Sequence, residues 1–173
     1  MNIIYRHPET KDGPGIYQLI KDCPPLDLNS AYCYLLLADH FRQTCVAAED
    51  TESGRIVGFV SAYFRPDAPD TLFTWQIAVH ADCRGRGVAR ALLEKLLSAV
   101  YEHQPPRFLE LSVNPSNQAS RKLFTRLAEE LGAPLHESVL FGEDLLGDGH
   151  EAEMLLRIGP LPHNLSVNKE ELK

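Results

Sequence analysis

Thr74-Trp75-Gln76-Ile77-Ala78-Val79-His80, followed after a short gap by Arg84-Gly85-Arg86-Gly87-Val88-Ala89, is the stretch that decides how this chain folds. The first part ends a longer run, Thr71 to Val79, that holds Leu72, Phe73, Trp75, Ile77 and Val79 with little polar relief. Such a run predicts a strand in the centre of a sheet. The second part leads straight into Ala89, Leu92, Leu93, Leu96, Leu97 and Val100, the apolar spacing of an amphipathic helix over Val88 to Tyr101. A strand, a glycine loop and a helix start together make an anion site. Gly85 and Gly87 let backbone N–H groups turn toward a ligand, the helix N-terminus adds partial positive charge, and Arg84 and Arg86 add full charges that match phosphate. The plain alternative is a tight turn with two solvated arginines.

Outward from this stretch the pattern alternates strand and helix. Upstream, Asn2 to Tyr5 reads as a strand and Gly13 to Lys21 as a helix stopped by Cys23-Pro24-Pro25. Asn29 is the expected N-cap of a second helix that turns Tyr32, Leu35, Leu36 and His40 to one face. Thr44 to Ala48 and Ile56 to Phe64 predict a hairpin around the polar segment Glu49 to Gly54, and Arg65 to Asp70 a loop. Downstream, Phe108 to Val113 reads as a strand and Ser116 to Leu131 as a helix ended by Gly132 and Pro134. Leu135 to Phe141 and Glu151 to Ile158 complete the set as strands. No internal repeat or linker interrupts it.

The chain has 173 residues, a length that predicts one domain, over residues 1–160, with a polar tail over 161–173. With 17 Lys and Arg against 24 Asp and Glu, the net charge of −7 argues against an electrostatic nucleic-acid binder. Apolar residues at 44% and charged residues at 24% match ordinary globular proteins, not disordered ones. Apolar runs of the type Tyr34 to Ala38 are far short of the roughly 20 residues of a membrane helix. The start Met1-Asn2-Ile3-Ile4-Tyr5-Arg6 lacks the pattern of a secretory signal, so a cytoplasmic location and no membrane partner are expected. Cys23, Cys33, Cys45 and Cys83 show no paired spacing and read as reduced thiols. Cys83, beside the loop, reads as a loop residue and not as a thiol relay.

The order strand, R-x-x-G-x-A over Arg84 to Ala89, helix resembles the acetyl-CoA pyrophosphate loop of the GNAT superfamily of N-acetyltransferases. The family's following strand and asparagine motif have counterparts in Phe108 to Val113 and Asn114-Pro115-Ser116-Asn117-Gln118-Ala119-Ser120. The resemblance implies an α/β fold with a central mixed, mostly antiparallel sheet flanked by helices on both faces. It also implies acetyl-CoA as co-substrate, with no metal. The cofactor would be held by Arg84, Gly85, Arg86, Gly87, Val88 and Ala89. The backbones of Ile77 and Val79 would pair with its pantetheine arm while their side chains lie in the core. Asn117 would face the cofactor, with a plain reading as a helix-start residue beside it. A homodimer is what the family implies.

A narrower resemblance rests on Pro25 to Tyr34, Gly58 to Tyr63, Asp70 to Gln76 and the asparagine motif. Over most of residues 25 to 158 the chain is similar to the L-2,4-diaminobutyrate acetyltransferases of ectoine biosynthesis. It implies N4-acetylation of that diamine, with Asp27, Tyr32, Trp75, His150 and Glu153 around the acceptor. An amine with a pKa of about 10 arrives protonated, so carboxylates must bind the cation and a base must take a proton. Glu153 is the favoured base, against water and Asp27. Each residue also has a plain reading. Asp27 caps or precedes the second helix, Tyr32 and Trp75 belong to the core, and His150 and Glu153 are solvated at a strand entry. A metal held by His150 and Glu153 lacks further ligands at suitable spacing. The family often places a tyrosine on the helix after the asparagine motif to protonate the leaving thiolate. Here Phe124 stands in that region and cannot be a general acid. Two rivals remain: another small diamine or polyamine as acceptor, and a non-catalytic acetyl-CoA-binding regulatory module.

Overall fold

The structure, a computed structural model, describes residues 1–147 and 149–164. From residue 165 on, the expected polar tail lies outside the described residues. The strands are β1 (Ile3–Arg6), β2 (Cys45–Asp50), β3 (Arg55–Arg65), β4 (Ala68–Val79), β5 (Phe108–Val113), β6 (Leu135–Phe141) and β7 (Glu153–Ile158). The helices are α1 (Gly13–Lys21), α2 (Ala31–Asp39), α3 (Val88–Tyr101), α4 (Gln118–Glu130) and the short α5 (Glu143–Leu146). The strands form a seven-stranded sheet in the order β1-β2-β3-β4-β5-β7-β6. β4 and β5 run parallel, whereas β1 with β2, β2 with β3, β5 with β7 and β6 with β7 are antiparallel. This is the mixed α/β sheet expected from the sequence, with β4 in its middle. The chain forms two compact units, residues 1–63 with 75–104, and residues 64–74 with the chain from 105 on.

In the first unit Ile16, Leu19 and Ile20 of α1 and Tyr34, Leu37 and Ala38 of α2 share a core with Cys45, Ala47, Phe59 and Ala78 of the strands. The helix α3 lies against β1 and β2 and buries Val88, Leu92, Leu93, Leu96, Leu97 and Val100. Gly58 makes that approach possible. A Cβ there would meet Ala48 Cβ, Leu92 Cδ1 and Val88 Cγ1, each at 3.1 Å.

Three local expectations are corrected. Ser30, not Asn29, caps α2: its backbone is extended and its Oγ accepts from the Cys33 N–H. The helix buries Tyr34, Leu37 and Ala38, while Tyr32 is 67% exposed and His40 lies outside. Ala31 to Ala38 is apolar at every position, so periodicity could not choose the face. The loop expected over 65–70 shrinks to a turn at Pro66 and Asp67, because Arg65 closes it with two bonds to Asp67 at 3.1 and 2.7 Å.

Arg6 of β1 joins the first unit's sheet to its helical layer. Its Nε donates to Glu49 Oε2 at 2.7 Å, and Nη1 and Nη2 donate to the two oxygens of Asp12 at 2.6 and 3.0 Å. Asp12 is only 7% exposed and also accepts from the Glu9 N–H at 2.7 Å.

In the second unit β5 pairs with β7 from Leu109↔Ile158 to Val113↔Met154. The fully buried Glu110 of β5 accepts from Arg65 Nη1 and Arg157 Nη1, each at 2.8 Å. The Arg157 guanidinium lies 3.8 Å over the Phe108 ring. A carboxylate at that depth is tolerable only with such partners.

Burial pushes the Asp12 carboxyl up, but the bonds from Arg6 and the Glu9 amide outweigh it and hold the group below its usual value. A carboxyl with a depressed folded-state value stabilises the fold above its unfolded value of about 3.9 and loses that contribution as pH falls through the folded one. Asp12→Ala is expected to cost about 3 kcal/mol at neutral pH by urea unfolding. The gap between parent and variant should narrow below about pH 4. A gap that stays constant down to pH 2 would refute this role.

Candidate active site

β4 ends at Val79, and the His80 N–H bonds the Val57 carbonyl at 2.8 Å, so β3 holds the strand's exit. A short 3-10 turn over Ala81–Cys83 follows, with the Cys83 side chain fully buried beneath the loop. Gly85 and Gly87 then take φ of +73° and +78°. No heavy atom lies within 4 Å of a Cβ built at either position, so backbone conformation and not crowding calls for glycine. Gly87 occupies the N-cap position of α3, where no side chain caps the helix and no acidic residue sits in the first turn. The amides that open a helix have no partner within it. Here they carry the positive end of a helix of 14 residues toward an exposed loop.

Arg84 and Arg86 are both exposed in that loop. Arg84 Nε donates to the Val79 carbonyl at 3.1 Å, which anchors the guanidinium at the exit of the strand. Arg86 Nη1 lies 3.7 Å from Met1 Sδ. Val88 buries its side chain while Ala89 is half-buried, so Val88 contributes its backbone to the loop and its isopropyl group to the core. The six residues expected at the loop, Arg84 to Ala89, thus lie together as one cationic turn.

Along the last part of β4, burial alternates. Gln76 and Ala78 are buried at 6% and 3%, whereas Trp75 is 41% exposed and Ile77 and Val79 are half-buried. The expectation that Trp75, Ile77 and Val79 contribute core side chains is therefore corrected. Strand alternation gives the α1 and α2 layer to Gln76 and Ala78 and turns the other three to the opposite face. The Val79 carbonyl accepts from Arg84 and from Cys23 Sγ, the latter at 3.5 Å.

Asp27 lies in the connection between α1 and α2, where the Leu26 N–H bonds the Cys23 carbonyl. Its carboxylate is exposed, and its main-chain carbonyl accepts from Gln76 Nε2 at 2.8 Å. Tyr32, on the exposed side of α2, is not the core tyrosine of its plain reading. Gln76 and Tyr34 tie this connection to the strand, an arrangement beyond what the spacing predicts. The one available signal was Gln76, a polar residue inside an apolar strand.

In the second unit Asn117 caps α4. Its Oδ1 accepts from the Ser120 N–H at 3.1 Å, and its own N–H donates to Asn114 Oδ1 at 3.0 Å. The helix-start reading is therefore realised, and Asn117 Nδ2 has no partner among the described residues. Glu151 Oε2 accepts from the Ser116 N–H at 3.3 Å, tying the entry of β7 to the asparagine turn. His150 is exposed just ahead of that strand, and the half-buried Glu153 opens it opposite Phe141 of β6. Phe124 is buried on α4. The Thr74 hydroxyl, next to Trp75 in the chain, is buried without a hydrogen-bond partner. Among the described residues no three His, Cys, Asp or Glu side chains gather as a metal site, and no helix is long and apolar enough to cross a membrane.

The profile of the acetyltransferase (GNAT) family matches residues 14–128. The chain is 51% identical over 159 residues to the L-2,4-diaminobutyric acid acetyltransferase of Bordetella parapertussis, covering 91% of this chain and 84% of that protein. It is 50% identical over 158 residues to the enzyme of the same name from Halomonas elongata, covering 91% and 81%. Among solved structures it is similar to diaminobutyrate acetyltransferase from Paenibacillus lautus in complex with L-2,4-diaminobutyric acid and coenzyme A. There the TM-score is 0.86 at 45% identity, over 95% of this chain and 98% of that one. With a cationic glycine turn at the exit of β4 and relatives of this identity over most of its length, the chain belongs to the GNAT acetyltransferases, among the L-2,4-diaminobutyric acid acetyltransferases.

Proposed function

We propose that this protein transfers the acetyl group of acetyl-CoA to the 4-amino group of L-2,4-diaminobutyrate, giving N4-acetyl-L-2,4-diaminobutyrate and CoA in ectoine biosynthesis. The observation that carries the reading is the turn Arg84 to Ala89. Two left-handed glycines, two exposed arginines and an uncapped helix start present donors to one anion. A pyrophosphate fits this donor set. The outer edges of Arg84 and Arg86 and the backbone N–H groups of Gly85 to Ala89 would hold it. The backbone groups of Ile77 and the N–H of Val79, in the part of β4 past its pairing with β5 over Thr71 to Thr74, would guide the pantetheine arm. Asn117 would contribute through Nδ2.

Acetyl-CoA supplies an activated thioester, so no acyl-enzyme is needed. The acceptor amine arrives as a cation, and we assign Asp27 as the carboxylate that binds it, Tyr32 and His150 as polar partners and Trp75 as an apolar wall, all four with exposed side chains. Glu153 takes the proton that the amine must lose before its nitrogen bonds the acetyl carbon. As the carbon–sulfur bond breaks, the nitrogen sheds its second proton to solvent and becomes an amide, and the thiolate leaves without help from Phe124. A thiol pKa of about 8.5 makes that tolerable.

The test is CoA release with L-2,4-diaminobutyrate, ornithine, lysine and polyamines, with product regiochemistry read by NMR. Strong preference for diaminobutyrate, acetylated at the 4-amino group, is expected. A better polyamine substrate would overturn the acceptor assignment and leave the acetyl donor intact.

Point variants separate the two sides. Arg84→Ala removes a charged donor, and Gly87→Asp puts a Cβ and a negative charge at a left-handed position. Each is expected to raise the KM for acetyl-CoA about tenfold or more. Glu153→Ala should lower kcat about 10²-fold or more, and Trp75→Ala should raise the KM for the diamine. Cys83→Ala should keep turnover. Full activity in the first four variants would refute the site map.

We expect the reaction to run in the cytoplasm and the protein to act as a homodimer. Val139, Phe141 and Leu145, at 62%, 47% and 71% exposure along and after the outermost strand β6, support a partnered surface. Sedimentation at the mass of one chain across micromolar concentrations would sink the dimer.

A further inference from the structure

The connection between α1 and α2 is held by a closed ring of hydrogen bonds in the first unit. The Asn29 N–H donates to the Tyr34 hydroxyl at 3.1 Å, that hydroxyl donates to Gln76 Oε1 at 3.4 Å, and Gln76 Nε2 donates to the Asp27 carbonyl at 2.8 Å. The polarity is consistent throughout. The hydroxyl accepts once and donates once, and the amide uses its oxygen and its nitrogen on different partners. Tyr34 is fully buried and Gln76 is 6% exposed, so neither side chain can trade its partner for water without moving. Tyr34 is further fixed by the Tyr17 ring, edge-on with centroids 6.1 Å apart, and the Gln76 N–H donates to Ser61 Oγ at 3.3 Å. The ring grips main chain at Asp27 and Asn29 on either side of Leu28, and it leaves the Asp27 carboxylate outside, exposed.

An apolar pair would bury the same surface at these positions without the cost of two buried polar groups. What the polar pair adds is a fixed main-chain path for three residues between two helices. We propose that Tyr34 and Gln76 are positioning residues for the acceptor. They hold the Asp27 backbone so that its carboxylate meets the incoming ammonium in one geometry. The inference rests on the reading above that Asp27 binds the acceptor amine. The same bond keeps Gln76 turned to the helical layer, and alternation then keeps Trp75 on the opposite, half-open face.

The experiment is steady-state kinetics on Tyr34→Phe, Gln76→Met and Asp27→Asn, and on each of the first two combined with Asp27→Asn. Tyr34→Phe and Gln76→Met are each expected to raise the KM for L-2,4-diaminobutyrate about five- to tenfold. The KM for acetyl-CoA and kcat should stay within about twofold. A purely structural role would move all three together with the unfolding midpoint. Acting through Asp27, the two substitutions should add nothing further once Asp27→Asn is present. If Asp27→Asn raises the diamine KM but the other two do not, or if their effects add in full, the positioning role is overturned while Asp27 keeps its own. If Asp27→Asn leaves that KM unchanged, the acceptor reading of Asp27 fails and the inference falls with it.

Discussion

Alternation along the last five residues of β4 is the constraint from which the rest of the first unit follows. Gln76 and Ala78 must enter the layer of α1 and α2, so Trp75, Ile77 and Val79 must face the other way. One strand thereby serves two ends. Its buried face anchors the helical layer through Ala78 and the Gln76 amide, and its other face leaves the Trp75 indole 41% exposed. The strand's exit is fixed as well, because the His80 amide is bound by β3 and the Val79 carbonyl by Arg84.

The turn after β4 concentrates positive charge in a chain whose net charge is −7. Two glycines at positive φ cost conformational entropy on folding. In exchange the turn aims amides outward and lets α3 start without a side-chain cap. Val88, the first residue of that helix, then packs against Gly58, so the same close contact that seats α3 also fixes the height of the turn.

Charge is also used inside. Asp12 with Arg6, and Glu110 with Arg65 and Arg157, are carboxylates at 7% and 0% exposure whose arginine partners come from other elements. Such groups stabilise little relative to apolar residues, but removing one partner is costly because it strands the other. They act as register pins. Arg65, the last residue of β3, and Arg157 of β7 share the single carboxylate of Glu110 on β5.

Much of the architecture was legible in the chain. The bounds of α1, α3, β5 and β6 follow from a helix period, a proline stop, a glycine end or a short β-branched and aromatic run, all of which are local. The cationic turn was legible for the same reason, since its physics is contained in six consecutive residues. The face of α2 was not, because a helix apolar all round carries no amphipathic signal and only the neighbouring layer chooses Tyr34 over Tyr32. Nor was the exposure of Trp75, since an apolar run looks alike whichever face is covered. The sequence by itself determined the seven strands and the four longer helices in their order, the glycine turn and the family. The tertiary structure alone decided that Gln76 and Tyr34 would close a ring on the Asp27 backbone, because hydrogen bonds between residues 42 and 49 positions apart exist only once the layer has packed.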